Sequence, residues 1–205
     1  MPLGLLLWDW LRDNLTVNPI QDATARTGKP ALVLLVLTLA VTPLNTAFGL
    51  GRLIPLRRWL GLYAGLYAAL HFMVFIGLDY GFNIDLLREA IFEKRFALVG
   101  FAAGTILLPL AITSTKGWMR RLKRGWKRLH RLVYLAAILA VVHYVWLVKS
   151  DIREPLFYGL VVLILLGLRI PPLRRAVSRL RRLRKWMSLE LQSRFRGQQE
   201  IHPTP

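Results

Sequence analysis

The sequence contains no cysteine. Disulfides, thiolate zinc sites and iron–sulfur clusters all require that residue and are therefore excluded. Acidic residues are also scarce, since 11 Asp and Glu stand against 29 Lys and Arg. A bound metal ion would have to take its protein ligands from histidine or from oxygen.

Apolar residues, in contrast, are abundant. The chain is 55% hydrophobic and has a mean hydropathy of +0.42, whereas an ordinary soluble domain is about 45–50% apolar. The net charge is +18, but the cations stand in short blocks between apolar runs instead of covering a folded polar surface. The pattern argues against a nucleic-acid partner and favours membrane lipids with anionic head groups.

Five apolar segments approach the length of about 20 residues that a helix needs to cross the hydrocarbon of a bilayer. They are residues 31–50, 59–78, 96–112, 129–148 and 155–168. A shorter run before Asp9 is stopped by charge, and we interpret it as the outer end of a first helix whose beginning is missing. The sequence therefore predicts an all-α integral membrane helical bundle with five full spans plus a truncated first helix.

The loops at one end of these segments are strongly basic. They are residues 51–58, residues 116–128 and the segment after Leu168, whereas the opposite loops nearly balance acids and bases. The positive-inside rule then predicts a multi-pass protein of the cell (inner) membrane with a cytoplasmic C-terminus.

We divide the chain into a transmembrane domain, residues 1–172, and a basic tail, residues 173–205. Apolar residues recur at helical spacing among the arginines of this tail. The pattern is typical of an amphipathic helix on the inner leaflet, and a solvated tail is the alternative.

Two histidines fall within the predicted spans at equal depth. At 1.5 Å per residue, His71 lies about 20 Å beyond Arg58 and His143 lies about 18 Å beyond Arg131, on helices that both run outward. They are candidates for one shared site. His130 lies at the inner boundary, about 20 Å below His143 on the same helix. The alternative for a histidine in a membrane helix is a hydrogen bond to a neighbouring helix.

Two opposed imidazoles favour haem over zinc. A zinc ion takes four ligands, and no carboxylate lies at the depth of His71 and His143. Haem needs only two axial ligands, and ligation by two histidines leaves no open position, which suits electron transfer. We therefore predict His71 and His143 as ligands of one haem iron. His130 is predicted as a ligand of a second haem, with an interfacial cation as the alternative.

Several stretches together resemble the MsrQ family, formerly called YedZ. They are "NPIQDATARTGKPALVLLVLTLAVTPL", "RRWLGLYAGLYAALHF", "LAITSTKGWMRRLKRGWKRLHRLVYLAAILAVVHYVWLVKSDIREPL" and "LGLR", within residues 17–170. MsrQ is the haem-binding membrane subunit of the MsrPQ methionine sulfoxide reductase system and belongs to the ferric reductase-like transmembrane group. The resemblance implies a six-helix bundle with b-type haem and FMN. It also implies that electrons from the quinone pool pass to MsrP, a soluble molybdopterin reductase that repairs oxidised methionines in exported proteins.

The resemblance also assigns individual residues. His71 and His143 match the family's outer haem pair, and His130 matches the inner histidine that starts the same helix. The wider group has a further histidine fourteen positions before the one matching His71, and here that position is Arg57. An inner haem would therefore lack its usual second ligand, so the number of haems, one or two, stays open.

The basic loops supply candidate groups for anionic parts of these cofactors. The candidates are Arg57, Arg58, Lys127 and Arg128, which could pair with a flavin phosphate or with haem propionates. The alternative is that they only set topology and bind lipid. No glycine-rich nucleotide motif follows a strand, so the electron source must be a quinol or another protein.

Two other functions remain open from the residues alone. A stand-alone transmembrane ferric or other metal reductase would share the haem arrangement and differ only in its acceptor. A transporter would use His71 and His143 as a proton relay, and it would need further polar groups between the helices. The sequence offers few such groups, namely Thr38, Thr42, Asn45 and Thr105.

Overall fold

The computed structural model describes residues 17–148 and 151–201, with a few isolated positions before residue 13. In the last helix, side chains are described up to Leu183 and at Trp186, Met187 and Glu190. The interpretation of the N-terminal stretch as a truncated helix lies mostly outside the described residues.

Every regular element of the described residues is helical. The helices are α1 (Pro19–Phe48), α2 (Leu56–Met73), α3 (Ile84–Glu93), α4 (Arg95–Ile112), α5 (Lys116–Leu129), α6 (Val133–Leu147), α7 (Arg153–Gly167) and α8 (Pro171–Ile201). Two short 3-10 turns, Gly51–Leu53 and His130–Leu132, precede α2 and α6. A π-helical segment, Val74–Asp79, directly follows α2.

Four helical stretches are long and apolar enough to cross a membrane. They are Pro19–Phe48, Gly51–Asp79, Arg95–Ile112 and Lys116–Leu147. The fifth predicted span corresponds to α7, which has 15 residues and would extend only about 22 Å. It passes the same test only together with α8, from which it is bent by 80°. The prediction of an all-α membrane bundle is therefore confirmed, with four or five spans in the described part of the chain.

The spanning helices form a closed ring. Helix α1 packs against α2 and α7, α2 against α4, α4 against α6, and α6 against α7. The buried core combines large residues of α1 and α7 with Ala64 of α2 and Ala137 of α6. Such small residues allow helices to approach closely inside a membrane. In this ring α2 and α6 are not neighbours, and α1 and α4 lie between them on either side.

The tail helix α8 packs against the end of α1. Arg181 donates a hydrogen bond from Nη1 to the carbonyl oxygen of Asn45 at 3.3 Å, and it lies directly over Gly49, the left-handed residue that ends α1. A cation is favourable at the C-terminal end of a helix dipole. The predicted helix in the tail is thus observed, whereas its contact with a membrane and the domain boundary after residue 172 stay predictions.

Candidate functional site

His71 of α2 and His143 of α6 meet across the ring of helices. Their ring centroids lie 6.2 Å apart, and the ring planes make an angle of 80°. A metal between two imidazoles takes each nitrogen at about 2 Å, and each centroid lies about 1 Å farther away, so the centroids of such a pair are about 6 Å apart. The observed separation therefore suits one shared metal.

A backbone carbonyl holds each imidazole in place. His71 Nδ1 donates to the carbonyl oxygen of Thr24 at 3.0 Å, and His143 Nδ1 donates to that of Phe96 at 2.7 Å. Because a carbonyl oxygen only accepts, the proton is on Nδ1 in both rings and Nε2 keeps its lone pair. A hydrogen bond of this kind fixes the tautomer and orientation of metal-binding histidines.

A glycine exposes each of these carbonyls. Gly28 follows Thr24 by four residues in α1, and Gly100 follows Phe96 by four residues in α4. A helical side chain covers the turn on the N-terminal side of its own Cα, so a glycine leaves the carbonyl of the preceding turn accessible. A Cβ on Gly28 would lie 2.9 Å from His71 Nδ1, and one on Gly100 would lie 2.6 Å from His143 Nδ1. Each histidine is thus hydrogen-bonded to a carbonyl that a glycine four residues later leaves accessible.

Polar contacts tie together the helices beside the pair. Lys29, next to Gly28, forms an ion pair with Glu154 at 2.6 Å. Glu154 also accepts a hydrogen bond from the hydroxyl of Tyr144, the neighbour of His143, at 3.1 Å. These contacts join α1, α6 and α7 at one end of the bundle, which is called the histidine end below.

His130 lies at the other end and has a different environment. Its ring stacks on Trp126 with centroids 4.0 Å apart, and Trp126 Nε1 donates to the carbonyl oxygen of Thr113 at 2.9 Å. His130 Nδ1 lies 3.2 Å from the carbonyl oxygen of Trp126, and Nε2 lies 3.5 Å from Ser114 Oγ. Both ring nitrogens therefore have polar neighbours within the chain, and no second histidine among the described residues lies beside His130.

The four predicted cation candidates, Arg57, Arg58, Lys127 and Arg128, are all exposed. Arg57 also reaches toward α1, where its Nη1 lies 3.5 Å from Thr42 Oγ1.

Arg169, which follows α7, lies in the same region, because its Nη2 donates to the carbonyl oxygen of Leu39 in α1, three residues before Thr42. The end of the bundle marked by Arg57, His130 and Arg169 is called the basic end. Sequence reasoning counted Arg169 only among the cations of the tail, since nothing in "LGLR" shows that its side chain turns inward.

Two of the further polar groups that a transporter would need have their hydrogen-bond partners within their own helices. Thr38 donates to the carbonyl oxygen of Leu34, and Thr105 donates to that of Phe101, both within their own helices. Such bonds satisfy a hydroxyl locally. The described side chains thus offer little support for the transporter alternative.

Comparisons with known proteins match the chain to one family. Residues 27–141 match the family model for the ferric reductase like transmembrane component. The chain is 48% identical over 176 residues to the protein-methionine-sulfoxide reductase heme-binding subunit MsrQ of Xanthomonas axonopodis pv. citri, covering 82% of this chain and 80% of that protein. It is 42% identical over 173 residues to the MsrQ subunit of Herminiimonas arsenicoxydans, covering 83% and 79%. No solved structure matches the chain.

Proposed function

Because the chain belongs to the MsrQ family of the ferric reductase-like transmembrane proteins, we propose that it is the membrane electron-transfer subunit of a methionine sulfoxide reductase system. In this proposal the subunit takes electrons from the quinone pool and delivers them, through FMN and b-type haem, to an MsrP-type molybdopterin reductase. The partner reduces methionine sulfoxide in exported proteins, and the two chains form a heterodimer.

One observation carries the proposal, namely the convergence of His71 and His143. These two nitrogen donors come from separate helices, and each is oriented by a backbone carbonyl. Together they would hold the iron of a haem. A haem bound there would supply one-electron transfer at an iron with no open coordination site. Among the described residues there is no cluster of three or more histidines or carboxylates that would suit another metal.

The basic end supports the proposed FMN site. Arg57, Arg58, Lys127 and Arg128 lie around this end, and no Asp or Glu occurs between residues 96 and 150 to neutralise the basic loop. Guanidinium groups bind phosphate through paired hydrogen bonds. We place the flavin phosphate at this end, on the cytoplasmic side, and assign electron uptake to the same side. His130 would lie beside that route, as a ligand of a second haem or as a further cation.

The direct test is electron transfer to the partner. The purified protein, with haem and flavin quantified together, is reduced with a quinol and then mixed with an MsrP-type reductase and methionine sulfoxide. We expect reoxidation of the b-type haem absorbance only when both the reductase and the sulfoxide are present. Reoxidation by a ferric chelate alone, with no response to the reductase, would instead support a stand-alone metal reductase.

The absence of cysteine makes the predicted orientation easy to test. A single cysteine is introduced either by Glu93→Cys, at the exposed end of α3, or by Arg179→Cys, on the exposed part of α8. If the basic end is cytoplasmic, a membrane-impermeant maleimide should label Glu93→Cys in intact spheroplasts and Arg179→Cys only after lysis. The unaltered chain is the background control, and the opposite labelling pattern would reverse the orientation.

A further inference from the structure

We propose that Arg169, Arg57 and Tyr134 form a phosphate-binding site at the basic end of the bundle. Arg169 Nη1 donates to the hydroxyl of Tyr134 at 2.6 Å, and Nη2 donates to the carbonyl oxygen of Leu39 at 2.7 Å. The inference rests on the proposed function only in naming a flavin as one source of the phosphate.

The carbonyl of Leu39 explains why Arg169 is held in this position. Pro43 follows Leu39 by four residues inside α1, and a proline has no N–H to complete the helical hydrogen bond. Arg169 supplies the missing donor. Its guanidinium carbon also lies 4.9 Å from the centroid of the Tyr134 ring, which adds a cation–π contact. The guanidinium of Arg169, which follows α7, is thus held by the carbonyl of Leu39 in α1 and by Tyr134 at the start of α6.

One nitrogen of Arg169 has no partner in the described part of the chain. Its Nε is buried and has no hydrogen-bond partner among the described residues. Neither of its two partners is an acid, and no Asp or Glu occurs between residues 155 and 189. A buried donor on a charged group is costly to leave without a partner. An acceptor from outside the chain would satisfy this N–H, which no described residue does.

The charge at this site favours phosphate as that acceptor. Arg57 reaches the same stretch of α1 as Arg169, because its Nη1 lies 3.5 Å from Oγ1 of Thr42, the residue before Pro43. The described groups that the two guanidinium groups contact are neutral. A phosphate monoester carries about −1.5 to −2 charge at pH 7, which can balance two cations, and arginine binds it through paired donors. A flavin mononucleotide supplies such a monoester, and a phospholipid head group supplies the related diester.

Flavin titration of the purified full chain in detergent, after removal of bound flavin, tests this site. FMN and riboflavin differ only in the phosphate, so quenching of their fluorescence separates phosphate binding from ring binding. For Arg169→Gln we expect FMN affinity to fall by about 10- to 100-fold, the loss typical of a hydrogen bond to a charged group, with riboflavin affinity unchanged. Arg174→Gln, an exposed cation at the same end, is the control for net charge and should keep FMN affinity.

A second variant separates phosphate binding from support of α1. Pro43→Ala restores the N–H that Leu39 lacks, so it removes the structural need for Arg169. If Arg169 binds phosphate, the double variant Pro43→Ala with Arg169→Gln stays weak for FMN. Recovery of FMN affinity in the double variant would overturn the proposal, because the arginine would then only replace a helical hydrogen bond.

A separate measurement tests whether the bound phosphate belongs to a lipid. If FMN affinity is unchanged in Arg169→Gln, native mass spectrometry of protein from phosphatidylglycerol nanodiscs should show one fewer retained lipid than the unaltered chain. That result keeps the phosphate site and assigns it to a lipid. No change in either FMN affinity or lipid retention would overturn it. The haem absorbance, recorded on the same samples, reports the proposed electron-transfer function independently of this site.

Discussion

Replacing His143 with alanine is expected to abolish the low-spin b-type absorbance of the purified protein, and replacing His71 is expected to abolish the same signal. The ring centroids lie 6.2 Å apart, and each Nδ1 is engaged by a backbone carbonyl, of Thr24 or Phe96, so Nε2 is the nitrogen that each ring has left for a shared metal. Loss of a group that only orients a metal ligand costs about 10- to 100-fold in affinity, so loss of the ligand itself should cost at least as much. The measurement is the dithionite-reduced minus oxidised spectrum with haem per chain.

His130→Ala is the matched control, because it removes a histidine at the opposite end of α6. It should keep the spectrum and midpoint potential that belong to the His71–His143 pair. Added imidazole should restore the low-spin spectrum in His143→Gly, since a free ligand can occupy the space of the lost side chain. If His71→Ala and His143→Ala removed two separate haems, each with its own potential, shared ligation would be contradicted.

The equal depth of the two histidines could be predicted from sequence, because depth depends only on the number of residues along each helix. The rise per residue is nearly constant in a helix, so counting from Arg58 and Arg131 gives the depth of His71 and His143. The facing of the two side chains depends on how α1, α2, α4 and α6 pack into a ring. That packing follows from many small contacts and has no local signature in the sequence.

The sequence analysis did not identify Thr24 and Gly28 as neighbours of His71, because it placed the start of the first helix too late. The first span was predicted to begin at residue 31, because the apolar run begins there, after the charged residues Arg26 and Lys29. In the structure α1 begins at Pro19, and its roughly three extra turns carry Thr24 and Gly28 to His71. The apolar run therefore marks only part of α1, and the turns before it carry the contact with His71.

The position of the Arg169 side chain could not be predicted from the sequence for a different reason. Positive charge in "LGLR" was interpreted together with the basic tail, where most arginines are exposed. The carbonyl that attracts Arg169 is exposed by Pro43, which lies 126 positions earlier in the chain. A proline in a span predicts that some carbonyl is free. It does not predict which distant donor will reach that carbonyl, since this depends on the ring closing between α1 and α7.

A single methyl group on Gly100 is expected to weaken haem binding nearly as much as the loss of a ligand. In Gly100→Ala the new Cβ would lie 2.6 Å from His143 Nδ1 and 2.7 Å from its Cε1, so the ring must move away from α4. That movement lengthens the hydrogen bond to the carbonyl oxygen of Phe96, which is 2.7 Å in the structure. We expect a loss of about 10- to 100-fold in haem affinity, the cost typical of removing a group that orients a metal ligand. The measurement is haem transfer from the purified protein to apomyoglobin.

Gly28→Ala repeats the test on the other histidine, because its Cβ would lie 2.9 Å from His71 Nδ1. Gly61→Ala is the matched control within a span, since the nearest atom to its Cβ is Thr38 Cγ2 at 3.7 Å, an ordinary contact. If the glycines only allow helices to pack closely, all three variants should lower thermal stability and none should change haem affinity selectively. If Gly28 and Gly100 expose the carbonyls that orient the ligands, haem loss is faster in those two variants while Gly61→Ala behaves like the unaltered chain. Haem affinity measured against thermal stability in the same samples thus distinguishes orientation of the imidazoles from general helix packing.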